Sequence, residues 1–408
     1  MNIIKTSFLL LPALAVLFSS CNERKGNASA EKGLPYMVDF EQCMETERAM
    51  KISDIADTVE YIELKSPKDV PITRVWDIIP VDDYWIIHAL NSVYKFTNKG
   101  EYIKTIGRHG QGPGEFSGVF NIDVDHLRRE IVISDSEKTL YYDLDGNYLR
   151  TDKLGTLFRI GISDSILWVS ELGDYEYKYT AFALNYQRDT VFSIPSPFYG
   201  IEPQDGGAGL HLAKLYKPFY RYKDTLYLKG REYNDTIYQL SGIKCKPYAI
   251  FDMGKYKLPM EYEAWYNFEA AQKNGSRYWG IISVAEDVHY SFLLAQRYAP
   301  VDGNKYVHNE ENFRYIVYDK EKREGFVTNG EQGTRFTDDI LGGPAIWPYW
   351  VIGDYYMNVV EWGELSEEIK KGNYKLAPAF EKQLAGYGYD TNPLVVMCRT
   401  KKMKKDEE

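Results

Sequence analysis

Phe96-Thr97-Asn98-Lys99-Gly100-Glu101-Tyr102-Ile103 aligns residue for residue with Tyr142-Asp143-Leu144-Asp145-Gly146-Asn147-Tyr148-Leu149. Each segment leaves an aromatic run, turns among polar residues around Gly100 or Gly146, and resumes through a Tyr-Ile or Tyr-Leu pair. That is the signature of two short antiparallel strands joined by a tight turn. Outward from the first copy, Trp76-Asp77-Ile78-Ile79-Pro80, a turn at Asp82-Asp83, Tyr84-Trp85-Ile86-Ile87-His88 and a turn at Asn91-Ser92 come before it. Lys104-Thr105-Ile106 completes a set of four short strands.

The same order surrounds the second copy, with Phe120-Asn121-Ile122-Asp123-Val124, Ile131-Val132-Ile133, Leu140 to Leu144 and Tyr148-Leu149-Arg150. A looser third copy runs through Phe158-Arg159-Ile160, Ser163-Asp164-Ser165 and Ile166-Leu167-Trp168-Val169. The period is roughly 40 residues, the length of a blade-type repeat. One four-stranded sheet cannot cover both of its apolar faces, whereas several stacked around an axis bury them against each other. The expected fold is therefore all-β, a single β-propeller with short helical insertions. Thr58 to Leu64 and Leu394 to Cys398 are strand-like and are expected to share a closing blade. Tyr220 to Phe251 supplies a fourth blade and Arg314 to Val327 a hairpin of a fifth. Pro259 to Ala271, Glu364 to Lys371 and Ala377 to Leu384 read as helices.

The 408 residues carry 49 Lys and Arg against 59 Asp and Glu, a net charge of -10. Such a surface repels phosphate backbones, and nucleic acid is not an expected partner. The 35 tyrosines and 8 tryptophans suit the half-buried surface of strands. Cys43, Cys245 and Cys398 show neither CxxC pairs nor zinc-type spacing, and a Cys245 to Cys398 bridge is left open.

At the front, Lys5 precedes an apolar run from Phe8 to Phe18, then Ser19, Ser20 and Cys21. The run is too short to span a bilayer and has the order of a secretory signal. Cys21 after two small residues resembles a bacterial lipobox, although Phe18 stands where an aliphatic residue is usual; the alternatives are a plain cleaved signal or a chance apolar start. Residues 1–20 are read as signal, 21–50 as tether and N-terminal extension, with Asn22 to about Leu34 polar and disordered, 51–402 as propeller and 403–408 as a charged tail. The expected location is the cell envelope at the outer membrane, anchored at Cys21, with the periplasmic or surface side open.

Ile106-Gly107-Arg108-His109-Gly110-Gln111-Gly112-Pro113-Gly114-Glu115-Phe116 closes the first repeat and resembles the blade-closing segment of the six-bladed β-propeller lipoproteins, themselves similar to NHL-repeat propellers. Asn234 to Tyr238, Asp338 to Gly343 and Asn392 to Val396 resemble later signatures of that family. The likeness runs from about Ala56 to Lys402. It implies six blades and, because the family has no agreed catalytic motif, no particular activity.

The glycines from Gly107 to Gly114 lack the Gly-Lys-Ser/Thr ending of a phosphate cradle and read as a crossover needing positive φ. The six histidines have no HxH or HExxH pairing, and no GxSxG elbow occurs, so neither a metal site nor a cofactor is expected. Asp82, Asp83, Asp123, Asp125, Asp135, Asp143 and Asp145 read as turn carboxylates capping backbone N–H groups. Trp347-Pro348-Tyr349-Trp350 could stack on sugars or hold a protein. The functional expectation is a non-catalytic module that binds an envelope protein or a glycan, with Arg108, His109, Trp347 and Trp350 as binding candidates. The alternative, taken from other six-bladed propellers, is a hydrolase or lyase at the channel mouth.

Overall fold

Adjacent residues of a strand point to opposite faces, and in this chain both faces are apolar. Ile78 packs with Trp85, Ile87, Met357 and Val395, whereas Ile79 packs with Ile86, Val93, Ile122 and Ile131. Trp168 and Val169 divide in the same way between two clusters. A sheet with two oily faces needs a neighbour on each side, and a closed ring supplies one to every sheet.

In the computed structural model the described residues are 34–153, 159–171, 175–204, 217–230, 235–298, 310–330 and 334–401. Among them, six sheets of four or five strands form a six-bladed β-propeller. Blade 1 is Val75–Val81, Tyr84–Ala89, Ser92–Thr97 and Tyr102–Ile106. Blade 2 begins at Asn121–Asp125 and blade 3 at Arg159–Ser163. Blade 4 begins at Phe219–Tyr222, blade 5 at Trp279–Glu286 and blade 6 at Trp350–Ile352. An apolar cluster fills each of the six gaps between neighbouring blades.

The two aligned segments are equivalent in three dimensions. Register shifts between Lys95 and Phe96 in blade 1 and between Tyr141 and Tyr142 in blade 2, where each meets its outer strand. Such a bulge sharpens the local twist. Gly107 has φ +66, and a Cβ there would stand 2.6 Å from the Tyr142 hydroxyl, which donates to Gly114 O at 2.8 Å. The glycine-rich segment is thus a packed crossover, as its composition predicts.

The N-terminal part is a strap over three blades. Strand β1 (Tyr36–Asp39) adds parallel to Lys244–Asp252 at the outer edge of blade 4. Helix α1 (Phe40–Glu45) follows, started by Asp39, whose carboxylate accepts from Gln42 N at 2.9 Å. Strand β2 (Glu47–Arg48) adds parallel to Glu324–Thr328 of blade 5. Helix α2 (Ile52–Ile55) leads into β3 (Ala56–Glu63), which pairs antiparallel with Leu394–Thr400 and closes blade 6. The extension expected before residue 51 therefore joins the sheets from Tyr36 onward. The signal, Cys21 and the tail from 403 lie outside the described residues, as does Phe158.

The expected helix at Pro259 to Ala271 is split into a 3-10 turn at Met260–Tyr262 and a helix at Phe268–Asn274, which Asn267 caps by accepting from Ala270 N. Helices Trp362–Lys370 and Pro378–Leu384 sit in the connection between Tyr355–Val360 and Leu394–Thr400, the two middle strands of blade 6, and Phe380 stacks on Tyr61 at 4.2 Å. Cys245 lies in blade 4 and Cys398 in blade 6, with blade 5 between them. Both are free, so the bridge left open by the sequence is not formed.

Candidate functional site

The first strand of every blade faces the axis, and together these strands bound a cavity of about 1810 Å³. Its two ends differ in chemistry because one is built from the starts of these strands and the other from the turns that follow them.

At the turn end, two charged clusters hold blades together. Asp123 accepts from Ile162 N at 2.6 Å and from Arg221 at 3.0 Å, and Arg221 also donates to Ile162 O at 2.8 Å. This joins blades 2, 3 and 4. Glu286 receives Tyr220 at 2.8 Å, Tyr248 at 3.2 Å, Ser291 at 3.3 Å and Lys320 at 2.5 Å. Burial, then the Glu286 charge, push the Tyr220 and Tyr248 hydroxyls well above the usual phenol range, so they remain donors. A buried carboxylate with this many donors is satisfied and acts as a brace between blades 4 and 5.

At the starting end the groups are less fully used. Asp77 of blade 1 accepts from Trp350 Nε1 of blade 6 at 2.6 Å and from Ile78 N at 3.0 Å. Lys217, just ahead of blade 4, places its ammonium 3.6 Å from Asp77 Oδ1 and 4.2 Å from the centre of the Trp350 ring. The Lys217 backbone N donates to Ile282 O of blade 5 at 2.9 Å, so this residue links the segment before blade 4 and blade 5 to blades 1 and 6. The ammonium is closed off from solvent and makes no hydrogen bond among the described residues, while a third of the Lys217 side chain stays accessible. An unsatisfied buried donor costs about 1–3 kcal/mol, more when charged. Burial lowers the Lys217 pKa, Asp77 offsets part of this, and the nearby Arg159 charge adds to the lowering. Arg159 itself donates to Phe120 O at 3.3 Å.

His88 is 4% exposed beside this group, its Nε2 3.1 Å from Leu90 O. Burial holds its pKa down at about 4, with Lys217 and Arg159 contributing, so the imidazole is neutral at pH 7. Trp76 and Phe120 stand at the rim, 38% and 39% exposed. This mouth thus combines aromatic faces on blades 1, 2 and 6 with cations ahead of or at the start of blades 3 and 4.

The family profile described as a domain of unknown function, DUF4934, matches residues 35–399. The chain belongs to that family. The match takes in the strap as well as the ring. Among solved structures, a Bacteroides fragilis protein described as exported is similar to this DUF4934 chain with a TM-score of 0.68 at 16% identity, over 90% of this chain and 100% of that one. A member of the DUF4221 family from Bacteroides vulgatus aligns with a TM-score of 0.47 at 14% identity, over 85% of this chain and 97% of that one. At such identities the first likeness speaks for the fold alone. No curated protein matches the sequence.

Of the four binding candidates in this DUF4934 chain, the structure brings Trp350 to the cavity and places the others elsewhere. Trp347 is 1% exposed and enclosed by Phe292, Tyr315 and Phe336, so it offers a ligand no surface. Its neighbour in sequence, Trp350, lies past Tyr349 where the strand has begun to face the axis. Arg108 and His109 form a parallel two-residue ribbon with Glu115–Phe116, outside the set of residues lining the cavity. There Arg108 donates to Glu115 at 2.7 Å and His109 packs edge-on against Phe116. Among the turn acids, Asp125, Asp135 and Asp143 accept backbone N–H groups as expected, at Leu127 and Arg128, Ser117 and Asn147. Asp123 sits within its strand rather than in a turn, accepts from Val124 N and Ile162 N, and braces three blades through Arg221.

Asp77, Lys217, Arg159, Trp76 and Phe120 were not singled out from the sequence. A signal for three of them exists, since Trp76 and Arg159 lie within the first two residues of an inner strand and Phe120 directly before one. Superposing the repeats by their first strands, rather than by their glycine turns, would gather them. Among the described residues, no group of three or more His, Cys, Asp or Glu converges in a way that could hold a metal ion.

Proposed function

We propose that this chain is an exported binding module of the cell envelope, anchored through Cys21, which takes a glycan at the mouth where the inner strands begin. The carrying observation is the rim itself. Exposed Trp76 and Phe120, with Trp350 behind them, border a cavity of about 1810 Å³, above the ~300–1,000 Å³ usual for small-molecule sites. Flat aromatic faces suit the C–H faces of sugar rings, and hydroxyls can use the polar groups beside them. The sequence order from Lys5 to Cys21 and the described export of the Bacteroides fragilis protein support the location. The second reading is a hydrolase or lyase at this mouth; Asp77, the carboxylate there, already accepts from Trp350 and Ile78, which favours binding.

The test is a glycan array followed by calorimetry on the purified protein and on Trp76→Ala and Trp350→Ala. Binding by the parent, weakened roughly tenfold or more by either change, is expected, in line with about 1.4 kcal/mol for a lost aromatic contact. A blank array with folded protein, or binding indifferent to both substitutions, overturns the reading. Replacing Cys21 with Ala should move the protein from the membrane to the soluble fraction.

A further inference from the structure

The Lys217 ammonium is the one feature of the mouth that stacking on sugar rings does not explain. Lys217 lines the cavity, with its ammonium held by an ion pair at 3.6 Å and a ring face at 4.2 Å. Both contacts are nondirectional. Its three N–H groups have no acceptor among the described residues, because the nearer oxygen of Asp77 is engaged by Trp350 Nε1 at 2.6 Å and Ile78 N at 3.0 Å. A protein that closes an ammonium off from water usually provides hydrogen-bond acceptors for it. A ligand oxygen on the cavity side is an acceptor that suits it.

Resting on the glycan reading, we propose that Lys217 is the anchor for a monoanionic oxygen group on the bound sugar, so that the module selects acidic over neutral glycans. Arg159 and Arg74, which line the same cavity, add positive field. Asp77 limits the charge that fits. Its carboxylate repels a dianion such as a phosphate monoester, while a singly charged group accepts from Lys217 and leaves the Asp77–Trp350 bond intact. A uronate carboxylate and a sulfate ester share this chemistry. Neutral His88 presents no second charge.

The experiment compares uronate oligosaccharides, their carboxyl-reduced forms, and a sulfated neutral oligosaccharide as ligands for the purified protein and for Lys217→Met, with Lys217→Arg as the conservative variant. Methionine keeps the length and apolar stem of lysine, and circular dichroism melts confirm folding. The expected result is preference for an acidic form over its reduced counterpart, a roughly 10- to 100-fold loss of that preference in Lys217→Met, as for one charge-assisted hydrogen bond, and its partial return in Lys217→Arg. The uronate and sulfate arms show which anion is bound. Acidic affinity should also fall on the alkaline side at a pH below that of an ordinary lysine, and this fall should be absent in Lys217→Met. Equal affinity for acidic and reduced forms, or a preference that survives Lys217→Met, overturns the inference while leaving glycan binding in place. Failure to bind any oligosaccharide, with acidic peptides bound instead, overturns the glycan reading itself.

Discussion

His88 shows how a single residue at the mouth couples to folding. Its pKa is about 4 in the folded protein against 6.5 for the free side chain, chiefly because the ring is buried. Folding therefore favours the neutral imidazole. The associated stability is fully present above pH 6.5 and is lost as the pH falls from 6.5 toward 4, about 3 kcal/mol over the window. Replacement by Gln, which can still donate to Leu90 O, should flatten that part of the acid limb. Urea titrations at pH 7 and pH 4.5 measure it, and an unchanged difference between the two would show that His88 is not its source. At this scale the sequence was least informative. Trp347 and Trp350 look interchangeable in Trp347-Pro348-Tyr349-Trp350, yet one is core and the other lines the channel. Lys217 was unremarkable because its role depends on a carboxylate 140 residues away.

Among the elements, the strap shows the same dependence on distant partners. Gln42 of α1 donates to Gly325 O at 3.1 Å and accepts from Gly325 N at 3.2 Å, mimicking one more strand against blade 5. The close approach requires a glycine, since a Cβ on Gly325 would lie 2.2 Å from Cys43 Sγ. Gly325→Ala should cost about 1–3 kcal/mol by overpacking and raise amide exchange along Glu324–Thr328 and β1. Adding Cys43→Ala should restore part of the loss, a coupling that a double-mutant cycle reads directly. If the two changes are simply additive, the proximity has no energetic weight. The repeat hairpins of blades 1 and 2 were legible because each pairs with residues only a few positions away and is marked by a glycine turn. Four residues at Tyr36–Asp39 and two at Glu47–Arg48 carry no such mark, and their partners are more than 200 residues distant.

For the whole molecule, the ring closes through both ends of the chain. Leu394–Thr400 lies between Tyr355–Val360 and β3, and its Leu394, Val395, Val396 and Cys398 have no exposed surface. Without it, β3 loses its only neighbouring strand among the described residues, and the clusters between blades 5 and 6 and between blades 6 and 1 open to water. A chain ending at Pro393 is expected to lose its single cooperative thermal transition and to aggregate through the exposed strand edges. Retention of a sharp melt with a monomeric elution profile would mean that five blades hold the fold by themselves.

Alternation with two apolar faces, recurring glycine turns and a strand at each end were written in the sequence, and they suffice for stacked blades and a ring closed by its termini. The reason is that these patterns act through neighbours along the chain. Which side chains meet at the axis was decided only by tertiary structure. Closing a six-membered ring brings together Asp77 of blade 1, Lys217 from the segment ahead of blade 4, and Trp350 of blade 6. No local periodicity encodes which residues will face each other across a channel, because that adjacency exists only once the circle is complete.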